Sequence, residues 1–267
     1  MKSEVFWILS CSVLQHSLKA EDLKSKIKGA LTYPIVVIII AFIVIAVILI
    51  FVIPVFQEMF SSFGSALPAP TQMVVNMSDF MKNNILFILP AIFLLGFVFK
   101  QYRNTKGGRK TTDTIALKLP VFGDLLKKTA VARFTRTLGT MLSSGVPILD
   151  SLEIVAKTAG NVVIEEIVLE VRGSIAEGQT IAEPLSENDV FPGMVIQMIS
   201  VGEATGALDT MLEKIADFYD KEVDAAVDAL TSMLEPLLML FLGGAIGGLV
   251  IAMYLPIFSM AGAVGAG

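Results

Sequence analysis

The sequence predicts an all-α protein with three transmembrane helices and one cytoplasmic helical bundle of about six helices. The chain is 54% hydrophobic but only 17% charged, whereas a soluble domain carries about 25% charged residues. The excess of apolar residues falls into three blocks, at 34–54, 84–100 and 236–258. Between the last two blocks, apolar residues recur at helical spacing without any alternating strand pattern, which predicts a bundle of helices.

Two of the apolar blocks repeat one pattern. Pro34 opens the first run and Pro54 closes it, and Pro236 and Pro256 stand 202 positions later at the ends of the second run. Matching prolines at both ends of two membrane-length runs indicate an internal duplication. Because only the second copy follows a helical bundle, we expect residues 1–33 to hold a leader and the remnant of a first cytoplasmic domain.

The first block is predicted to be a transmembrane helix over 34–54. Its apolar core, 35–53, would be about 28 Å long as a helix, which is enough to cross a bilayer core of about 30 Å. Its many Ile and Val residues would favour strands in water, but a single segment in lipid must satisfy its own backbone and therefore forms a helix. Lysines precede it at positions 19, 24, 26 and 28, which places the N-terminus in the cytoplasm. Residues 1–20 fit neither a signal peptide nor a lipoprotein leader well.

Residues 55–83 are predicted to form an external loop. Large apolar residues recur at helical spacing in its first part, so we expect that part to lie on the membrane surface. Lys82 is the only cation of the segment, which supports a location outside the cell membrane. The second transmembrane helix, 84–100, contains Pro90 and is short for a crossing. The basic residues that follow it, at positions 103, 106, 109 and 110, mark the cytoplasmic side.

Residues 101–232 are predicted to form the cytoplasmic helical domain. Gly145 ends its first long helix, and Pro147 suits the start of the next one. Glu203 lies in a turn that Gly206 closes, where it would cap the helix that follows or contact a partner. The last helix of the domain carries many carboxylates, for which a solvated face is favoured over a metal site or a surface for a basic partner. This helix can merge into the third span.

The third transmembrane helix, 236–258, has a face of small residues. Two overlapping Gly-x-x-x-Gly patterns form this face, from Gly243, Gly244, Gly247 and Gly248. Small residues let helix backbones approach closely in lipid, so we expect the face to pack on another helix. Glu235 stands at the membrane boundary, where an ionisable group can be functional. The uncharged tail, 259–267, is expected outside.

Residues that could carry chemistry are scarce. One cysteine and one histidine exclude an internal disulfide, a histidine-based triad and a multi-histidine metal site. The stretch 107–111, GGRKT, lacks the glycine spacing and the preceding strand of a phosphate-binding loop. The net charge of −5 argues against a nucleic-acid partner. We therefore expect no enzymatic activity, no cofactor and no metal.

Several motifs resemble those of a known family, the type II secretion protein F family, which includes the inner-membrane platform proteins of type IV pili. Residues 137–149 (TLGTMLSSGVPIL) are similar to its signature, and 198–208 (MISVGEATGAL), with Phe191 and Pro192 before them, look like its second signature. Residues 33–34 (YP), 54–60 (PVFQEMF) and 67–71 (LPAPT) look like its first span and external loop. The resemblance covers about residues 21–260. Because family members carry two related cytoplasmic domains, it also implies that this chain lacks most of the first one, and with it that domain's functions, among them self-association and a carboxylate metal site.

The resemblance implies a non-enzymatic scaffold in the bacterial inner membrane, with a cytoplasmic N-terminus, a cytoplasmic domain at 101–232 and an external C-terminus. It implies contacts with a cytoplasmic assembly ATPase, with pilin or pseudopilins, with other inner-membrane assembly proteins and with lipid, and a homo-oligomeric state. Such a platform would pass ATP-driven movement to pilin extraction and polymerisation. The competing interpretation is a component of an oligomeric transporter or channel, although few ionisable residues lie within the spans. A membrane enzyme would need a nucleophile or metal constellation that the sequence does not show.

Overall fold

The computed structural model of the chain describes residues 25–26, 28–62 and 68–265. The predicted leader, 1–20, lies outside the described residues together with the single cysteine and the single histidine. All regular secondary structure in the described part is helical, which confirms the predicted all-α class.

Ten helices follow one another along the described chain. α1 covers 28–47 and continues through a π-helical turn, Ile48–Val52, into α2, Ile53–Ser62. The remaining helices are α3 (Ala69–Asn104), α4 (Lys106–Lys118), α5 (Phe122–Ser143), α6 (Ile148–Thr158), α7 (Val162–Ala176), α8 (Ala182–Ser186), α9 (Gly193–Thr205) and α10 (Leu208–Gly265).

Two helical segments of the described chain, Lys28–Phe60 and Leu208–Phe258, are long and apolar enough to cross a membrane. α3 consists of two halves, Ala69–Ile88 and Pro90–Asn104, whose axes are bent by 51° relative to each other. Counted together, the two halves give a third segment that could cross the membrane. Pro90 accounts for the bend, because its ring and its missing N–H interrupt the helical hydrogen bonds. The described chain therefore has two or three candidate spans.

The helices are divided between two units. Among the described residues, the first, which we call the bundle unit, comprises those up to Gly29 and Gln101–Leu230, and the second, the membrane unit, comprises those within Ala30–Lys100 and from Thr231 onwards. The core of the bundle unit surrounds α5, whose Leu138 is fully buried together with Leu152 of α6 and Val168 of α7. Phe134 meets Phe191 edge to face, with ring centroids 5.1 Å apart. Burial of these large side chains holds the bundle unit together.

The interval predicted as an external loop, 55–83, is largely helical in the described residues. α2 continues to Ser62, and α3 starts at Ala69 and runs on through the second predicted span. Pro70 does not prevent this start, because the N–H groups of the first helical turn have no partner within the helix. The side of the membrane on which this interval lies stays a prediction.

The last helix of the bundle and the third predicted span are one helix. α10 runs from Leu208 to Gly265, so it contributes residues 208–230 to the bundle unit and continues in the membrane unit. It also extends into the predicted tail, 259–267. The small and apolar residues of that tail contain no proline after Pro256, and nothing in them ends a helix early.

Candidate functional site

Pro54 and Pro256 each interrupt the backbone hydrogen bonds of a helix in the membrane unit, and we call these two positions the proline breaks. The first lies where α1 passes into α2. In the π-helical turn before it, the N–H of Ile53 donates to the carbonyl of Ile48, five residues back. The next N–H in this pattern would be that of Pro54 and would reach the carbonyl of Leu49, but proline has no N–H. The hydroxyl of Ser78 on α3 donates to the Leu49 carbonyl instead. Both residues are buried, so the hydroxyl satisfies a carbonyl that proline leaves without a backbone donor.

The second proline break lies in α10 and is satisfied in the same way. Pro256 cannot donate to the carbonyl of Ala252, four residues back. Thr71 Oγ1 of α3 donates to this carbonyl over 2.5 Å, and both residues are buried. Pro54 and Pro256 occupy matching positions of the sequence repeat. The carbonyl that accepts the hydroxyl, however, lies five residues before Pro54 but four residues before Pro256. The π-helical turn explains the shift, because its hydrogen bonds reach five residues back rather than four.

α3 thus connects both copies of the repeated helix through Thr71 and Ser78, which we call the hydroxyl pair. The two residues are seven positions apart, so they lie on one face of α3 two turns from each other. The side chains around the pair form a small apolar core, made of Leu49, Ile53, Val75 and Leu249. Unsatisfied backbone groups are very unfavourable in lipid, so the hydroxyl pair stabilises the contact of α3 with both proline breaks.

In the bundle unit, a buried arginine joins α5 to α10. Arg136 Nη2 lies 2.5 Å from Asp217 Oδ1 and 2.6 Å from Asp220 Oδ2. Its Nε is buried and has no hydrogen-bond partner within the described part of the chain. Burial opposes the charge of Arg136, but the hydrogen bonds to Asp217 and Asp220 outweigh it, so the pKa of the guanidinium is raised. The pair of carboxylates keeps the arginine charged inside the unit.

Two further contacts extend this α5–α10 interface. Lys128 Nζ lies 3.0 Å from Glu222 Oε2 and 3.1 Å from Asp124 Oδ2. The hydrogen bond to Glu222, opposed by burial and supported by Asp124, raises the pKa of Lys128. At Gly139 the helices approach so closely that an added Cβ would lie 3.2 Å from Leu212 Cβ. Charge pairing and close packing therefore hold α10 against α5.

Gly145 and Pro147, two of the predicted partner residues, build the turn between α5 and α6. Gly145 has a φ of 77°, a left-handed conformation that glycine adopts without steric cost. Its N–H donates to the carbonyl of Leu142, and the N–H of Val146 donates to that of Met141. Pro147 caps α6 and accepts from Ser151 Oγ at 3.0 Å. These two residues shape a turn, as the sequence indicated.

Glu203 caps a different helix from the one expected. Its Oε1 accepts from the N–H of Ile181 at 2.7 Å, and its Oε2 from the N–H of Ala182 at 3.2 Å. It therefore satisfies the first N–H groups of α8, not those of α10, the helix that follows it in sequence. Gly206 ends α9 in the left-handed conformation, with a φ of 69°. The sequence could not show the α8 contact, because it joins positions more than 20 residues apart.

The described residues contain no group of three or more His, Cys, Asp or Glu side chains arranged to hold a metal ion. The contacts described above join helices within each unit. In the membrane unit they are the two proline breaks with the hydroxyl pair, and in the bundle unit they are the α5–α10 interface and the glycine turns around α6 and α9.

Comparison with known proteins identifies the family. The sequence profile of "Type II secretion system (T2SS), protein F" matches residues 134–256. The type IV pilus assembly protein PilC of Pseudomonas aeruginosa is 46% identical over 254 residues, which are 95% of this chain and 68% of that protein. The chain belongs to the type II secretion system protein F family.

Further relatives fall into two named groups of the family. The type IV pilus assembly protein PilC of Myxococcus xanthus is 59% identical over 246 residues, and the type II secretion system protein F of Aeromonas hydrophila is 31% identical over 240 residues. The chain covers 59% of the Myxococcus protein and 62% of the Aeromonas protein. The chain therefore spans about three fifths of the length of these two relatives.

The region that the family profile matches contains all of the predicted partner and packing residues, from Gly145 to Gly248, but not the hydroxyl pair. Thr71 and Ser78 precede the matched region, 134–256, and lie in the interval predicted as a loop. One signal could have found them. Each proline inside a predicted membrane helix leaves a carbonyl that needs a donor, and buried backbone groups rarely lack one. The sequence analysis also missed the contact of Arg136 with Asp217 and Asp220. The only signal for it was that the two aspartates are three residues apart and therefore lie on one face of a helix.

The remaining predicted site residues lie on exposed parts of the membrane unit. Glu235 is exposed on α10 and has no ion-pair partner among the described residues. A Cβ added to any residue of the glycine face would meet no atom within 4 Å in the described chain; the face consists of Gly243, Gly244, Gly247 and Gly248. No described helix of this chain packs against the face. Its predicted helix partner within the chain is therefore not seen in the described residues.

Proposed function

We propose that this family member is an inner-membrane platform of a type IV pilus or type II secretion machine. It couples a cytoplasmic assembly ATPase to the extraction and polymerisation of pilin or pseudopilins. The observation that carries the proposal is the 46% identity to a type IV pilus assembly protein over 95% of the chain. The relatives named above as pilus assembly and secretion system proteins are the support for a scaffold rather than an enzyme.

The proposed topology has three spans, at 34–54, 84–100 and 236–258. The N-terminus and 101–232 lie in the cytoplasm, and the C-terminus lies outside. Residues 101–128 support this orientation, because they hold seven Lys and Arg but only two Asp, as the positive-inside rule predicts for a cytoplasmic flank. Fusion of a reporter that is active only outside the membrane should give signal at the C-terminus and none at position 104. The opposite pattern would overturn the topology.

The two units have separate roles in this proposal. The spans guide pilin or pseudopilins, and the hydroxyl pair keeps the proline breaks in contact with α3 while they do so. The ATPase binds a surface within 111–232, whose turns are built by Gly145, Pro147 and Gly206. Residues 129–230 offer it an acidic surface, because they hold 17 Asp and Glu against six Lys and Arg. Such a charge speeds association with a basic partner surface.

The glycine face supports a homo-oligomeric platform. A Cβ added to any of its glycines would meet nothing within 4 Å in the described chain, and small residues favour close helix packing in lipid. We place a second copy of the chain, or another inner-membrane assembly protein, on this face. The packing would bring several bundle units to one ATPase.

Deletion of the gene and complementation with this chain test the proposal. Loss and recovery of surface pili would support the pilus function, and loss and recovery of protein secretion would support the secretion function. All strains should be grown under the same conditions, so that a difference in membrane potential does not account for the result. If both processes continue without the chain, while solute flux through liposomes requires it, the transporter or channel interpretation replaces the proposal.

A further inference from the structure

The connection between α4 and α5 carries an exposed apolar surface. Its side chains are between 39% and 57% exposed and make up what we call the apolar tip: Ile115, Leu119, Val121, Phe122 and Leu126. Ile115 lies in the last turn of α4, Leu119 and Val121 lie in the connection, and Phe122 and Leu126 lie four residues apart in the first turns of α5. Single exposed apolar residues are ordinary, but a contiguous group marks a surface that binds something apolar.

A tight turn holds the tip in place. Val121 has a φ of 68°, which is strongly disfavoured for a β-branched residue. A Cβ added to Gly123 would lie 2.3 Å from the carbonyl oxygen of Leu117, so the start of α5 touches the end of α4. The N–H of Phe122 donates to the carbonyl of Pro120 at 2.8 Å. The fold therefore presents these apolar side chains to solvent in a fixed, strained conformation.

The charge around the tip differs in sign from that of the rest of the unit. Seven Lys and Arg and two Asp give residues 101–128 a formal charge of +5, whereas six Lys and Arg and 17 Asp and Glu give 129–230 a charge of −11. Both aspartates of the basic segment already have partners, Arg103 for Asp113 and Lys128 for Asp124. Lys118, next to the tip, has no carboxylate within ion-pair distance in the described part of the chain. The surface is thus complementary to an apolar partner that carries negative charge.

We propose that the apolar tip and Lys118 dock into the headgroup region of the anionic lipid bilayer that holds the membrane helices. A basic surface with an apolar face is the combination that binds such an interface. α4 begins two residues after the end of α3 and, with 13 residues, is about 20 Å long. If 84–100 crosses the membrane as proposed above, α4 limits the tip to within about 20 Å of the end of α3, and this tether raises the effective concentration of the tip at the bilayer. The acidic remainder of the unit is repelled by the same lipids, so docking orients the unit. The inference does not depend on the platform function.

Fluorescence of the full chain in nanodiscs tests the docking. The tryptophan at position 7 is first removed with Trp7→Phe, and Phe122→Trp then places an indole in the tip. Phe218→Trp is the matched control, because Phe218 of α10 is 45% exposed and Phe122 is 44% exposed. In nanodiscs with brominated anionic lipid, we expect the emission of Phe122→Trp to fall at least about twofold while that of Phe218→Trp stays unchanged. Leu119→Trp should behave like Phe122→Trp, so a misfolded single variant does not decide the result.

A charge variant tests the lipid preference. Lys118→Glu should abolish the quenching, and Lys221→Glu on the acidic part of α10 should leave it intact. Equal quenching of the tip and control variants, or equal quenching with zwitterionic lipid alone, would overturn the proposal. A blue-shifted tip emission without lipid quenching would also overturn it, because it would identify a protein on the tip, either a second copy or an acidic partner.

Discussion

At the scale of the residue, the side chain of Arg136 is much less exposed to water than the two carboxylates that it contacts. The arginine side chain is 8% exposed, whereas Asp217 is 57% exposed and Asp220 34%. Water can therefore solvate the carboxylates if the arginine is removed, but it cannot reach the arginine if the carboxylates are removed. A buried charge without its counter-charge is the more destabilising outcome.

This asymmetry gives a prediction for the free energy of unfolding. Arg136→Met should lower it by about 1.5–3 kcal/mol, the value of a hydrogen bond to a charged group. Asp217→Asn combined with Asp220→Asn should lower it by about 3–5 kcal/mol, because the guanidinium then stays buried without a counter-charge. Pulse proteolysis of the full chain in nanodiscs measures both values. Equal losses, or a larger loss for Arg136→Met, would show that the arginine is better solvated than its burial indicates.

Glu203 has a structural role that can be separated from partner binding. Glu203→Gln keeps one oxygen acceptor for the two N–H groups at the start of α8, so the unfolding free energy should fall by about 1 kcal/mol. Glu187 is exposed and lies just after α8, and Glu187→Gln should change nothing. A Glu203→Gln variant of unchanged stability that no longer binds the assembly ATPase would instead make Glu203 a binding residue.

At the scale of the element, each proline break and its hydroxyl should act as one unit. Ser78→Ala removes the donor to the Leu49 carbonyl and should cost about 0.5–1.5 kcal/mol. In a Pro54→Ala background the restored N–H satisfies the backbone, so the same Ser78→Ala change should cost almost nothing. Thr71→Val should show the same dependence on Pro256→Ala. Unfolding in mixed micelles measures the coupling, and additive losses would mean that the hydroxyls do not serve the prolines.

The helices and the turns of this protein could be predicted from the sequence, because their signals are local. The apolar runs, the prolines and the glycines at 145 and 206 act on their neighbours in the chain, and the all-α class is confirmed. The contacts of Glu203 and of the hydroxyl pair could not be predicted, because each joins helices that are distant in sequence. The start of α3 at Ala69, within the predicted external loop, was not predicted, because Pro68 and Pro70 suggest a break, although Pro70 is compatible with the first turn of a helix.

At the scale of the whole molecule, the open glycine face predicts an oligomer. Gly244→Leu with Gly248→Leu adds bulk where the described chain has open space, so the fold should remain intact while the oligomer dissociates. Gly96→Leu on α3 is the matched control, because its added Cβ also meets nothing within 4 Å. Native mass spectrometry from mild detergent reports the size of the assembly. If the double variant keeps that size, another surface holds the oligomer together.

The chain belongs to a family whose named members serve type IV pilus assembly or type II secretion, and the platform function is proposed from this relationship. The chain covers 68% of the Pseudomonas aeruginosa relative, so its ability to bind the same machinery is the claim on which the account depends. Residues 134–230 of the bundle unit and the glycine face lie within the region that the family profile matches.

Purification of the tagged chain from native membranes in mild detergent, with its partners identified by mass spectrometry, tests this claim most directly. The account predicts that an assembly ATPase and pilin or pseudopilins are recovered with the chain, and that an unrelated tagged membrane protein of similar abundance recovers neither. Recovery of the chain without the ATPase and without pilins would contradict the platform function.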